Sequence, residues 1–180
     1  MRTTIAAFLV LILFASFGFA QTPEYKTEVF GLVGLAGVHD DESYLGKGIN
    51  FGGGVGFRPS RRFGLNFEGY YVDTSRNFPS GVLFESTATT LAADLHVYFP
   101  TGKVEPYLLV GTGLTNFNQT NIFELEKFLS EETGYTLQFG GGTRIFVTPR
   151  VSIRPEFKWV VSKFSFFYQF LGTVSIGYHW

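Results

Sequence analysis

The sequence predicts an all-β fold, an eight-stranded antiparallel up-and-down barrel that crosses a membrane. Three observations predict it. Eight segments alternate apolar and polar residues with a period of two, and each reaches the roughly 9–11 residues that a tilted strand needs to cross a bilayer. The connections alternate between tight turns and longer polar stretches. The 180 residues include 22 Gly and 22 Phe and no Cys, a composition that suits a thin β wall with aromatic girdles.

The N-terminus is set apart first. Met1-Arg2 supplies a positive start, Ile5 to Phe19 is mostly apolar, and Gly18-Phe19-Ala20 places small residues at −3 and −1 before Gln21. This is the pattern of a secretory signal peptide cleaved after Ala20. A membrane helix is the alternative. The run is short against the roughly 20 residues of a span, and a cleavage site follows it. Residues 1–20 are thus a signal peptide and residues 21–180 a single barrel domain.

The strand segments run Lys26–Val38, Ile49–Arg58, Phe63–Val72, Thr87–Phe99, Pro106–Asn116, Tyr135–Val147, Val151–Val161 and Phe167–Trp180. Pro59–Arg62, Pro100–Glu105 and Thr148–Arg150 are Pro- or Gly-marked turns. His39–Gly48, Asp73–Ser86 and Phe117–Gly134 are longer, and Ser162–Phe166 is a shorter connection on the same side. Short turns at one end and long loops at the other suit a barrel with short periplasmic turns and longer extracellular loops. Pro155 breaks the pattern inside the seventh segment, because proline cannot donate to a strand ladder. A bulge there, or a later strand start, accommodates it.

Charge and composition exclude several classes. A formal charge of −1 gives no electrostatic case for nucleic acid. Without Cys there are no disulfides, thiol chemistry or lipoprotein anchor. No second apolar run is long enough for a membrane helix.

Parity divides each strand into two faces. Ile49, Phe51, Val55 and Phe57 oppose Asn50, Gly52, Gly54, Gly56 and Arg58; Leu91, Ala93, Leu95 and Val97 oppose Asp94, His96 and Tyr98. A lipocalin-like soluble barrel alternates too, with its apolar face inward. Small glycines on the polar face, where a narrow lumen has little room, favour apolar-out. Aromatics near strand ends, as interfacial girdles require, favour it as well.

Three passages then carry a family resemblance: FGGGVGFRP from Phe51 to Pro59, PYLLVGTG from Pro106 to Gly113, and VSIRPEF from Val151 to Phe157. With them the mature chain resembles the small outer-membrane β-barrels of the OmpA- and OmpX-like type. The last strand adds to this. Val174, Ile176, Tyr178 and Trp180 share a face, and an apolar strand ending in aromatics looks like the assembly signal of bacterial outer-membrane barrels. The resemblance implies residence in a bacterial outer membrane, contact with its lipids and transient engagement of its assembly machinery. It does not choose among anchors, adhesins and small channels.

The lumen candidates are the acids Glu28, Glu68, Asp94, Glu105 and Glu156, the bases Arg58, Arg144, Arg154 and Lys158, and His96 beside Asp94. An eight-strand lumen is just wide enough for side chains, and charges there are tolerable only when paired. The expectation is a polar network that plugs the barrel; a narrow path for ions or small solutes is the alternative. His179 is expected in the lumen or at its periplasmic rim. His39-Asp40-Asp41-Glu42 reads as a solvated acidic loop rather than a cation site, because consecutive acids point in different directions.

No catalytic set, cofactor or metal site emerges. The His-x-Ser-Asn type of motif expected of barrel lipid A deacylases is absent, so a lipid-modifying enzyme is a distant alternative. Asn121 with Glu124 forms a partial capping box, and Ile122, Leu125, Phe128 and Leu129 recur at helical spacing. These predict a short amphipathic helix at the extracellular rim. It would be a lid packed on its own loops or a surface for an extracellular partner. The expected assembly state is a monomer.

Overall fold

The structure, a computed structural model, describes residues 27–39, 44–77, 83–99, 101–123, 126–162 and 167–180. The expected signal peptide, Lys26, the Asp40–Glu42 acidic run, and Glu124 and Leu125 lie outside the described residues.

Eight strands form one closed antiparallel barrel in sequence order: β1 (Thr27–His39), β2 (Tyr44–Phe57), β3 (Phe63–Asn77), β4 (Leu83–Tyr98), β5 (Val104–Phe123), β6 (Glu126–Phe146), β7 (Val151–Ser162) and β8 (Phe167–His179). The barrel closes where β8 returns to β1, with Tyr178 opposite Val29, Ile176 opposite Gly31 and Val174 opposite Val33. Closure pairs each of the eight strands with two neighbours, so the backbone groups of the wall are bonded strand to strand where it is complete.

The side-chain faces follow parity. Val33, Ile49, Phe51, Phe67, Leu91, Leu137, Phe157 and Ile176 stand exposed on the outside, whereas Glu28, Asn50, Glu68, Asp94, Arg144 and Lys158 are buried within. An apolar exterior around a charged interior inverts the soluble-barrel pattern and is stable only in lipid. Phe57, Phe63, Phe99, Tyr178 and Trp180 form an exposed aromatic band at the short-turn end.

The β2 glycines make room for the lumen. A Cβ on Gly54 would lie 2.8 Å from the Phe30 ring, and one on Gly56 would lie 2.7 Å from Glu28 Cγ. In the β4–β5 turn Gly102 adopts φ 107°, open to glycine at little cost.

Three differences from the sequence expectations have physical reasons. First, the stretch expected to hold a rim helix is β structure. Residues 119–123 continue β5 and pair with 126–130 of β6, from Gln119 opposite Ser130 to Phe123 opposite Glu126. β5 and β6 reach 20 and 21 residues, against 12 in β7. Once a hairpin is zipped to Asn118, each further residue gains cross-strand bonds without a new nucleus, which a lone helical turn cannot match. Second, strands take up much of what was read as loop: β2 begins at Tyr44, β3 runs to Asn77 and β4 begins at Leu83. Third, Pro155 sits in an unbroken β7. Its β8 partner is Val174, and the β6 ladder skips from Gly142–Glu156 to Ile145–Ile153 in the same register. The missing N–H removes local pairing on one side, without a bulge or a later start.

Candidate functional site

The candidate site is the lumen. Glu28 from β1, Arg144 from β6 and Arg154 from β7 meet near the short-turn end. One carboxylate oxygen, Glu28 Oε1, accepts from Arg144 Nη2 at 2.7 Å and from Arg154 Nη1 at 2.8 Å. Arg144 Nη2 also donates to Tyr98 Oη at 2.8 Å. Arg154 Nε donates to Ser175 Oγ at 3.0 Å, and its guanidinium lies 4.1 Å from the Phe30 ring centroid. Arg58, the residue after β2, turns inward to donate to Glu105 Oε2 at 2.6 Å. Its guanidinium also covers the Tyr98 ring at 4.3 Å.

A second cluster sits deeper. Lys158 Nζ pairs with Glu68, with Glu156 Oε1 at 3.1 Å and with Asp94 Oδ2 at 3.4 Å. One ammonium thus holds three carboxylates from β3, β7 and β4. Tyr107 Oη donates to Glu156 Oε2 at 2.6 Å, and Tyr107 stacks on His96 with centroids 4.8 Å apart. This aromatic contact joins the two clusters.

All ten predicted lumen residues therefore belong to one packed interior. His96 Nε2 lies 3.3 Å from the Asn66 amide and its Nδ1 lies 3.4 Å from Tyr98 Oη. The Asn66 amide is satisfied when its oxygen faces both His96 Nε2 and Arg154 Nη1, the latter at 3.2 Å. Asp94, two residues before His96 on β4, faces Lys158 on β7. One residue needs correction in detail: Glu105, assigned to a turn by sequence, is buried in β5, which begins at Val104. His179 is a lumen residue, with Nε2 2.7 Å from Ser152 Oγ and Nδ1 3.5 Å from Glu28 Oε2.

Sequence reasoning missed an apolar cluster in the interior. Phe30, Leu32, Ala36, Val38, Tyr70, Val72, Ala88, Val160 and Leu171 form a buried cluster inside the wall. Much of it lies toward the long-strand end, beyond the charges. Tyr107 was also missed, although it shares parity with Glu105. At the short-turn end a cavity of about 10 Å³ remains among Glu28, Asn66, Tyr98, Arg144 and His179, room for about one water.

Comparison with known proteins matches residues 6–171 to the family described as the outer membrane protein beta-barrel domain. The chain belongs to this family. No curated protein matches it by sequence. Among solved structures, the fold resembles Neisserial surface protein A at TM-score 0.67 and 14% identity, covering 86% of this chain and 97% of that one. It resembles Ail, the attachment invasion locus protein of Yersinia pestis, at TM-score 0.58 and 14% identity, over 87% and 99% of the two chains. The N-terminal β-barrel domain of Pseudomonas aeruginosa OprF matches at TM-score 0.55 and 15% identity, over 87% and 98%. At these identities the likeness shows the fold. Family membership places the protein in the bacterial outer membrane.

Proposed function

We infer that this family member is a non-enzymatic outer-membrane barrel whose lumen is a plug, with a structural or surface-interaction role carried by its outer end. The observation that supports this reading is Lys158 held among Glu68, Asp94 and Glu156, with Arg144 and Arg154 sharing Glu28 beneath it. Paired charges fill the narrow interior, and beyond them buried Leu32, Val38, Val72 and Leu171, together with buried Asn50, Gln138 and Gln169, occupy the rest of the lumen. His96 and Asp94 are buried in this packing, and Glu156 is bonded to Lys158 and Tyr107, which argues against their use on an external substrate.

In this reading the leader is removed after Ala20. The face bearing Val174, Ile176, Tyr178 and Trp180 is displayed to the assembly machinery before it meets lipid. The mature protein stands as a monomer. The long β5–β6 hairpin offers the outer surface to an extracellular partner. Liposome swelling tests the plug: vesicles carrying the folded protein should swell no faster in a small sugar than protein-free vesicles. Sugar-size-dependent swelling would support the narrow-channel reading in its place.

A further inference from the structure

The short-turn end carries a concentration of one sign of charge that the lumen does not use. Three connections lie at the short-turn end, between β2 and β3, between β4 and β5, and between β6 and β7. Their exposed charged side chains are Arg61, Arg62, Lys103 and Arg150. None of these turns contains an Asp or Glu. Glu105, the acid that follows the second of these turns in sequence, is fully buried and bonded to Arg58.

The cations adjoin the aromatic band. Phe63 follows Arg62 directly, and Phe99 opens the turn that ends at Lys103. Arg150 Nη1 reaches 3.5 Å from Tyr178 Oη, beside Trp180. Ser60 Oγ accepts from the backbone N–H groups of Arg62, at 3.3 Å, and Phe63, at 3.0 Å, which fixes the tight turn carrying two of the cations. Aromatic girdles mark the level of lipid headgroups. Basic side chains on the aqueous edge of that girdle meet phosphates rather than acyl chains or open solvent.

We propose that Arg61, Arg62, Lys103 and Arg150 form a headgroup-binding rim that selects anionic phospholipids in the periplasmic leaflet around the barrel. The selection acts through charge and is weakened by salt. It is a property of the turns, independent of whether the lumen conducts.

The test uses the mature chain carrying Trp159→Phe, so that Trp180 reports from the rim. The protein is folded into phosphatidylcholine vesicles containing brominated phosphatidylglycerol or brominated phosphatidylcholine, and quenching of Trp180 gives the relative association of each lipid. Phosphatidylglycerol should be preferred by at least about fivefold at low salt, the factor one basic residue supplies near an anionic surface. The preference should fall toward one in high salt, and also when all four residues are changed to Ser. Equal quenching by both lipids would overturn the proposal. So would a preference that survives salt, or one retained by a correctly folded four-Ser variant. Should that variant not fold, the salt titration alone decides.

Discussion

Arg144 on β6 donates to Glu28 on β1 across 2.7 Å, although 116 positions separate them in the chain. Glu28 also serves Arg154, so one carboxylate balances two guanidinium groups in a buried setting. Removing it leaves both cations without their main counter-charge. Glu28→Ala should therefore destabilise the folded barrel by about 3–5 kcal/mol, the range for breaking a buried pair by deleting one partner. Urea unfolding in lipid vesicles, followed by Trp fluorescence, checks this. A change below about 1 kcal/mol would place Glu28 in a hydrated, weakly coupled site.

Lys158 bears the opposite imbalance, with one ammonium among three carboxylates. Lys158→Met should cost a similar amount, about 3–5 kcal/mol. Adding Glu68→Gln removes one of the stranded charges, so the double variant should be more stable than the sum of the single effects predicts, with a coupling of about 0.5–3 kcal/mol. Strict additivity would show that the two groups do not share an environment.

The seam predicts an assembly phenotype. Trp180 N donates to Thr27 O at 3.2 Å, and Thr27 Oγ1 donates to the Trp180 carbonyl at 2.9 Å, so the last residue is latched to the first described one. Its ring lies outside the wall beside Tyr178. Trp180→Asp puts a charge at the membrane interface and should lower outer-membrane levels several-fold, while Trp180→Phe stays near normal. Quantitative immunoblots of outer-membrane fractions distinguish the outcomes. Normal levels of the Asp variant would remove the assembly-signal reading.

The β5–β6 hairpin extends beyond the shorter β7 wall. Replacing residues 120–129 with an Asn-Gly turn joins Gln119 to its partner Ser130 and keeps the remaining register. The shortened protein should still show the gel shift between unheated and boiled samples that marks a folded barrel. Loss of that shift would make the hairpin part of the folding core rather than an outer surface.

Much of this was legible in the sequence because lipid outside and charge inside impose strict alternation. Arg154, Glu156 and Lys158 announced their face through Ile153, Phe157 and Trp159 between them. The outward face of β8, bearing Val174, Ile176, Tyr178 and Trp180, was equally legible. Alternation gave less where both faces are apolar. Phe30, Leu32, Ala36 and Val38 face inward on β1 while Val29, Val33 and Leu35 face lipid, so parity carried no polarity signal. The hairpin tip misled for another reason. Ile122, Leu125, Phe128 and Leu129 match a helical stripe, but the cross-strand bonds that override it come from a partner strand that the local pattern does not encode. Partner choice within the lumen was hidden too. Which carboxylate Lys158 gathers depends on barrel closure, not on spacing along any strand.

Single-channel recording of the purified folded protein in planar bilayers tests the central claim, that paired charges and the side chains packed beyond them close the lumen. The plug predicts a silent baseline, with no steady open level across the applied voltages. A reproducible, long-lived conductance from the wild-type barrel would contradict it and make Arg144, Glu28 and Lys158 the lining of an ion path.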